Sequence, residues 1–276
     1  MHRTLFFRGT EIVIITVDVG NTNIVIGCAD PVTKKIAFEE RIYTDRHKSA
    51  TEFAIAIKQV LELYGVDAKS LEGGILSSSV PPVTEQVVRG LDQFLGKKII
   101  EVGPGIKTGV DIKLDDPSQL GPDLLVAAVA GISQYGAPLV LIDMGTATTI
   151  SVISKDKRFM GGMIIPGLEV ALAGLARRAA HLPEVAIKRP SRLIAGNTVG
   201  AMQSGSIYGQ AACIDGMLER IWEELGYKTA AVATGGFASE VIPCCKHEIK
   251  IDDQLLIKGL TILYDKNTKK SKKEKA

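Results

Sequence analysis

The feature that most constrains this chain is a pattern that occurs twice. Ile14-Ile15-Thr16-Val17-Asp18-Val19-Gly20-Asn21-Thr22-Asn23-Ile24-Val25-Ile26 reads as an apolar strand, an Asp-x-Gly turn with small polar residues, and a second apolar strand. Leu139-Val140-Leu141-Ile142-Asp143-Met144-Gly145-Thr146-Ala147-Thr148-Thr149-Ile150-Ser151-Val152 repeats it, with the aspartate 125 residues further on. Two copies predict two similar domains. At 276 residues the chain is long enough to give each its own core.

After the first hairpin, the pattern predicts a third strand at 36–44. A helix follows from the spacing of Phe53, Ile57, Val60, Leu61 and Tyr64, then a short strand at 74–78, a helix opening at Pro82 and a strand at 98–102. A long Gly/Pro/Asp loop spans 103–121. The second copy predicts a hairpin at 139–153, a third strand at 159–165, a helix after Pro166-Gly167, a helical stretch at 197–225, a strand at 230–233 and a helix at 253–264. The fold class is therefore α/β, with domains expected at 1–121 and 122–265. The last eleven residues carry six lysines against one glutamate and are expected to be a basic disordered tail, 266–276. With net charge +2 overall, the rest of the chain is slightly acidic, which excludes a broad basic face for nucleic acid. No run of 18 apolar residues and no export signal occurs, so no membrane partner and a cytoplasmic location are expected. Cys28, Cys213, Cys244 and Cys245 lack zinc or disulfide spacing and are expected to be reduced.

A strand that ends in Asp and turns through Gly leaves a carboxylate at the strand end and lets main-chain N–H groups approach a ligand. Asn21, Thr22, Thr146 and Thr148 add small hydrogen-bonding side chains. Such turns cradle phosphates, and their aspartates can hold the neutralising cations. A plain hairpin with an Asx-turn is the alternative for either copy alone, and duplication favours the phosphate reading. Ala230-Ala231-Val232-Ala233-Thr234-Gly235-Gly236 adds a strand that opens on a Gly-Gly turn, suited to close packing of a ring or ribose.

Six segments together resemble the type III pantothenate kinase family of the acetate and sugar kinase, heat-shock ATPase and actin superfamily. They are Asp18-Val19-Gly20-Asn21-Thr22, Gly121-Pro122-Asp123, Asp143-Met144-Gly145-Thr146-Ala147-Thr148, Gly161-Gly162-Met163-Ile164-Ile165-Pro166-Gly167, Gly196-Asn197-Thr198 and Thr234-Gly235-Gly236. The resemblance spans nearly the whole chain. It implies two duplicated ribonuclease-H-like domains with an interdomain nucleotide cleft, a homodimer, and phosphorylation of pantothenate by ATP at the first step of coenzyme A synthesis. It further implies that Asp18, Val19, Gly20, Asn21, Thr22, Asn23, Ile24 and Val25 hold ATP phosphates, that Thr146 contacts phosphate, and that Gly235 and Gly236 lie near adenosine. Gly121, Pro122, Asp123, Leu124 and Thr198 would border pantothenate, with Asp123 as general base. Asp143 would help bind K⁺ or NH₄⁺, and Asp18 would act on Mg²⁺.

Asp123 also suits a helix cap, and the residues alone leave both roles open. Leu124 departs from the family, which commonly has arginine there, so Arg177, Arg178 and Lys188 become candidate donors to the substrate. Met1–Glu11 precedes the usual start of such chains. Lys107-Thr108 resembles a phosphate loop, but Glu101 and Ile106 stand where the Walker pattern needs glycines, which rejects it. His47, His181 and His247 form no ligand spacing, and Ser204 and Ser206 lack a nucleophile elbow. The competing expectations are a kinase of this fold with another hydroxylated acceptor, or a regulatory homologue that binds nucleotide without turnover.

Overall fold

β1 (Val13–Val19) is buried along its whole length, as a central strand covered on both faces requires. In chain order β2 (Asn23–Ala29), β3 (Ile36–Tyr43), α1 (Ala50–Leu63), β4 (Leu71–Ser78), α2 (Pro81–Leu95) and β5 (Ile99–Glu101) follow. A two-residue strand β6 (Asp111–Ile112) and α3 (Pro122–Tyr135) lead to β7 (Leu139–Met144), β8 (Ala147–Ile153) and β9 (Arg158–Pro166). Then come α4 (Leu168–Arg178), α5 (Thr198–Leu225), β10 (Ala230–Thr234), the short α6 (Ala238–Val241), β11 (Lys250–Ile251) and α7 (Leu255–Lys273). The computed structural model describes residues 13–273. The extension expected at Met1–Glu11 lies outside them.

These residues divide into two units, one of residues 13–109, 116–130 and 254–273 and one of residues 110–115 and 131–253. The first holds a sheet in the order β3-β2-β1-β4-β5, the second a sheet in the order β11-β10-β7-β8-β9-β6. β1 pairs β2 antiparallel and β4 parallel, β2 pairs β3 antiparallel, and β4 pairs β5 parallel. β7, β8, β9, β10 and β11 reproduce all four pairings. The repeated hairpin is thus the visible part of a duplicated ribonuclease-H-like sheet. β6 adds an edge strand parallel to β9, inside the segment expected to be loop.

In the first unit Val13, Ile15, Val17 and Val19 alternate onto the face covered by α1 and α2, against Phe53, Ile57, Leu61, Val87 and Leu91. α1 starts at a capping box in which the Ser49 N–H donates to Glu52 Oε2 and the Glu52 N–H to Ser49 Oγ; such a cap is worth about 1 kcal/mol. α7 packs on β1, β2, β3 and β4. A Cβ at Gly259 would overlap the Val126 carbonyl oxygen, so glycine is what lets α7 approach α3 this closely.

α7 corrects two expectations. The helix runs through Lys273, so residues 266–273 are helical; residues 274–276 lie outside the described set. Lys266 Nζ donates to the Thr108 carbonyl at 2.6 Å, and Asn267 exchanges hydrogen bonds with the Lys107 main chain at 2.9 and 3.1 Å. α7 also belongs with the first sheet, as do residues 122–130, so the units do not follow a cut after Gly121. The repeat marks where each hairpin begins, whereas the unit boundary depends on which helices close each core.

In the second unit Val140, Ile142, Met144, Ile150 and Val152 face Ile207, Ala211, Ile214 and Leu218 of α5. No helix among the described residues is long and apolar enough to cross a membrane.

Candidate active site

Asp18 is the last residue but one of β1 and stands opposite Ser77 of β4. It is buried, and the Ser77 hydroxyl donates to its Oδ1. Val19 and Ile24 belong to the helix-covered core, so of the eight residues 18–25 these two have only main chain to offer a ligand. Gly20 N–H donates to the Asn23 carbonyl at 3.0 Å, Thr44 N–H to the Thr22 carbonyl at 2.9 Å, and the Thr44 hydroxyl to the Gly20 carbonyl at 2.7 Å. Ser79 N–H takes the Val19 carbonyl at 3.1 Å. The Val19, Gly20, Thr22 and Asn23 carbonyls are therefore tied to protein donors, while the Asn21 N–H donates to no group among the described residues. A turn that withholds its acceptors and presents N–H fits an anion. Arg46 Nη2 donates to Asn21 Oδ1 at 2.9 Å at the tip.

The second turn is one residue shorter. Val19 pairs with Ile24 across the first, but Met144 pairs with Thr148 across the second, and Gly145 N–H donates to the Ala147 carbonyl at 3.0 Å. This shift turns Thr148 to the core face beside Ile150, where it is fully buried with an unpartnered hydroxyl. Thr148 is therefore no ligand donor at the turn, contrary to expectation, whereas Thr146 is exposed at its tip.

Asp143 is half-buried opposite Thr234 of β10. Gly235 has φ +94°, and a Cβ there would lie 2.6 Å from both Asp143 Oδ1 and the Met144 nitrogen. Only glycine lets the Thr-Gly-Gly turn lie against the Asp143 strand end. Phe237 N–H completes the contact on the Met144 carbonyl at 3.3 Å.

Asp123 is the second residue of α3, half-buried, and its Oδ1 accepts the Leu124 N–H at 2.9 Å. The first helical bond, from Leu125 N–H to the Gly121 carbonyl at 3.1 Å, starts before it, so Asp123 lies inside the first turn rather than at the cap. Thr198 is exposed at the start of α5, after an Asn197 cap whose Oδ1 accepts the Gly200 N–H at 2.8 Å. It borders a cavity of about 510 Å³ between α4 and α5, lined by Leu168, Leu172, Leu175, Leu182 and Met202. Arg177, Arg178 and Lys188 are exposed. The Lys107 N–H is spent on Asn267, which leaves the Walker look-alike pinned to α7.

Among the described residues no group of three or more His, Cys, Asp or Glu side chains could hold a metal alone. Mg²⁺ takes one or two carboxylates and completes its shell with phosphates and water, and the Asp18 carboxylate is a donor of that kind. Ser77, Thr44 and Arg46 complete the first turn, and sequence reading missed all three. No motif marks them; strand register alone brings them there.

A model of the type III pantothenate kinase family matches residues 14–220. A type III pantothenate kinase of Bacillus cytotoxicus is 41% identical over 254 residues, 92% of this chain and 96% of that one. The chain belongs to the type III pantothenate kinase family. Among solved structures, the activator of 2-hydroxyisocaproyl-CoA dehydratase from Clostridium difficile, with bound ADPNP, is similar at TM-score 0.55 and 12% identity, over 96% of this chain and 98% of that one. Component A of (R)-2-hydroxyglutaryl-CoA dehydratase from Acidaminococcus fermentans is similar at TM-score 0.53 and 14% identity, over 95% of this chain and all of that one. These likenesses concern the fold alone.

Proposed function

We propose that this chain transfers the γ-phosphoryl group of ATP to the primary hydroxyl of pantothenate, giving ADP and 4′-phosphopantothenate, the first step of coenzyme A synthesis. Beyond family membership, the observation that carries the reading is the placement of Asp18 and Asp143 at equivalent ends of duplicated strands, each beside a glycine turn. The 18–25 turn would receive phosphate oxygens on its N–H groups, Thr146 would donate to phosphate, and the Gly235-Gly236 backbone would pack on adenosine.

Phosphoryl transfer has a loose transition state, so positioning and charge neutralisation do most of the work. Asp123 orients the pantothenate hydroxyl and accepts its proton as the O–P bond forms and the bond to ADP breaks. A carboxylate is too weak a base to deprotonate an alcohol beforehand. Gly121, Pro122, Leu124 and Thr198 would border the substrate. Asp18, steadied by Ser77, would hold Mg²⁺, and Asp143 would help hold K⁺ or NH₄⁺; these cations supply the positive charge that neutralises the phosphates.

A homodimer is part of the proposal. Leu193 and Ile194 are 61% and 84% exposed, and Leu175 and Val199 are also exposed, near the apolar cavity between α4 and α5. A second copy would cover this surface, and light scattering should give twice the chain mass. The activity is tested by ADP release from ATP with Mg²⁺ and K⁺. Turnover should require pantothenate, and its absence in both K⁺ and NH₄⁺ overturns the assignment.

A further inference from the structure

Arg46 is held in place without being neutralised. Its Nη2 donates to Asn21 Oδ1 at 2.9 Å, an uncharged acceptor, and among the described residues it makes no ion pair. Arg41, Arg89 and Arg158, by contrast, each pair with a carboxylate. The neighbouring Asp45 is turned onto its own loop, accepting the His47 N–H at 2.9 Å. Thr44, two residues before Arg46, donates twice to the turn, so the segment after β3 straps across residues 20–22 and sets the guanidinium at the tip. Arg46 is exposed, and a guanidinium carries five N–H donors, of which this contact uses one.

A fixed cation with open donors, beside a turn whose Val19, Gly20, Thr22 and Asn23 carbonyls are tied to protein donors, is built to meet an anion with several oxygens. We propose that Arg46 is a ligand of the nucleotide's phosphate chain, with Asn21 as the strut that aims it. This rests on the reading of the 18–25 turn as a phosphate site. It puts a basic side chain at the place where a polyphosphate needs one.

The test compares nucleotide affinity in the wild-type protein, Arg46→Met, Arg46→Lys, Asn21→Ala and the Arg46→Met/Asn21→Ala double variant, using ATP and adenosine as probes. Arg46→Met should weaken ATP roughly ten- to a hundredfold, the range of a charge-assisted hydrogen bond, and leave adenosine unchanged. Arg46→Lys should recover part of the loss, and Arg46→Met should still weaken ATP in the Asn21→Ala background. Unchanged ATP affinity, equal losses for ATP and adenosine, or no further loss in the Asn21→Ala background would overturn the proposal; the last would leave Arg46 as a brace for the turn. If the wild-type protein binds no ATP, the phosphate-site reading itself fails, a result distinct from any of these.

Discussion

Ser77 stands opposite Asp18 on a neighbouring parallel strand and donates its hydroxyl hydrogen to the Asp18 carboxylate. Both are buried, so the bond fixes which way the carboxylate faces as the strand reaches the turn. Ser77→Ala should leave the fold intact, raise the Mg²⁺ concentration needed for half-maximal rate several-fold, and change kcat less at saturating Mg²⁺. A Mg²⁺ titration of turnover checks it; an unaltered titration curve would detach Ser77 from catalysis.

Asp123→Asn keeps the shape of the side chain and removes its basicity. General-base catalysis contributes about 10²- to 10⁴-fold, so kcat should fall by that much while ATP affinity stays near wild type. Rates near wild type would return Asp123 to a purely structural place in the first turn of α3.

Two glycines test the packing. Gly235→Ala forces a Cβ into Asp143 and the Met144 main chain at a φ of +94°, and should cost both stability and activity. Gly259→Ala separates α7 from α3 and should cost about 1–3 kcal/mol, as overpacking does, lowering Tm by several degrees. Thermal melts of both variants beside their turnover rates distinguish a site defect from a core defect.

Replacing K⁺ with Na⁺ should depress turnover, and Asp143→Ala should remove the difference between the two ions. Initial rates in matched chloride salts check it. Equal rates in the wild-type protein would end the cation role of Asp143.

Burial pushes the Cys28 thiol far above its ordinary value of 9.0 and the Cys245 thiol to about 12. Below about pH 9 these thiols are protonated in the folded and unfolded chain alike, so pH has no effect through them. Above it the unfolded chain releases protons that the native chain keeps, and stability falls as pH rises, by up to about 1.4 kcal/mol per unit for each group. Denaturant midpoints measured from pH 8 to 10.5 should therefore decline, and Cys28→Ala should flatten the decline even though it lowers the starting value. At neutral pH, Cys213 and Cys244, which are half-exposed, should react with maleimide before the buried Cys28.

Much of the fold was legible because the strands are apolar runs ended by Gly, Pro and Asp, and because the Asp18 pattern recurs at Asp143. That repetition predicted two similar domains, and the two sheets share four pairings. What was hidden is what register decides. One residue fewer in the second turn sends Thr148 into the core, a shift that matching letters does not reveal. Ser77 and Thr44 reach the first turn only once β4 is laid beside β1 and the end of β3 beside β2. The lysine-rich end looked like a tail because its composition is that of a solvated segment, yet Lys266 and Asn267 anchor the 107–108 loop through main-chain hydrogen bonds.

The placement of α7 has a consequence for how the chain is made. The sheet of the first unit leaves the ribosome before the second unit, but the helix that covers one of its faces is synthesised after it. Throughout translation of the second unit that face has no cover, so a nascent chain stalled before residue 254 would carry an exposed apolar sheet. The unit whose sheet is made before the second unit is completed only after it, when α7 packs onto β1 to β4.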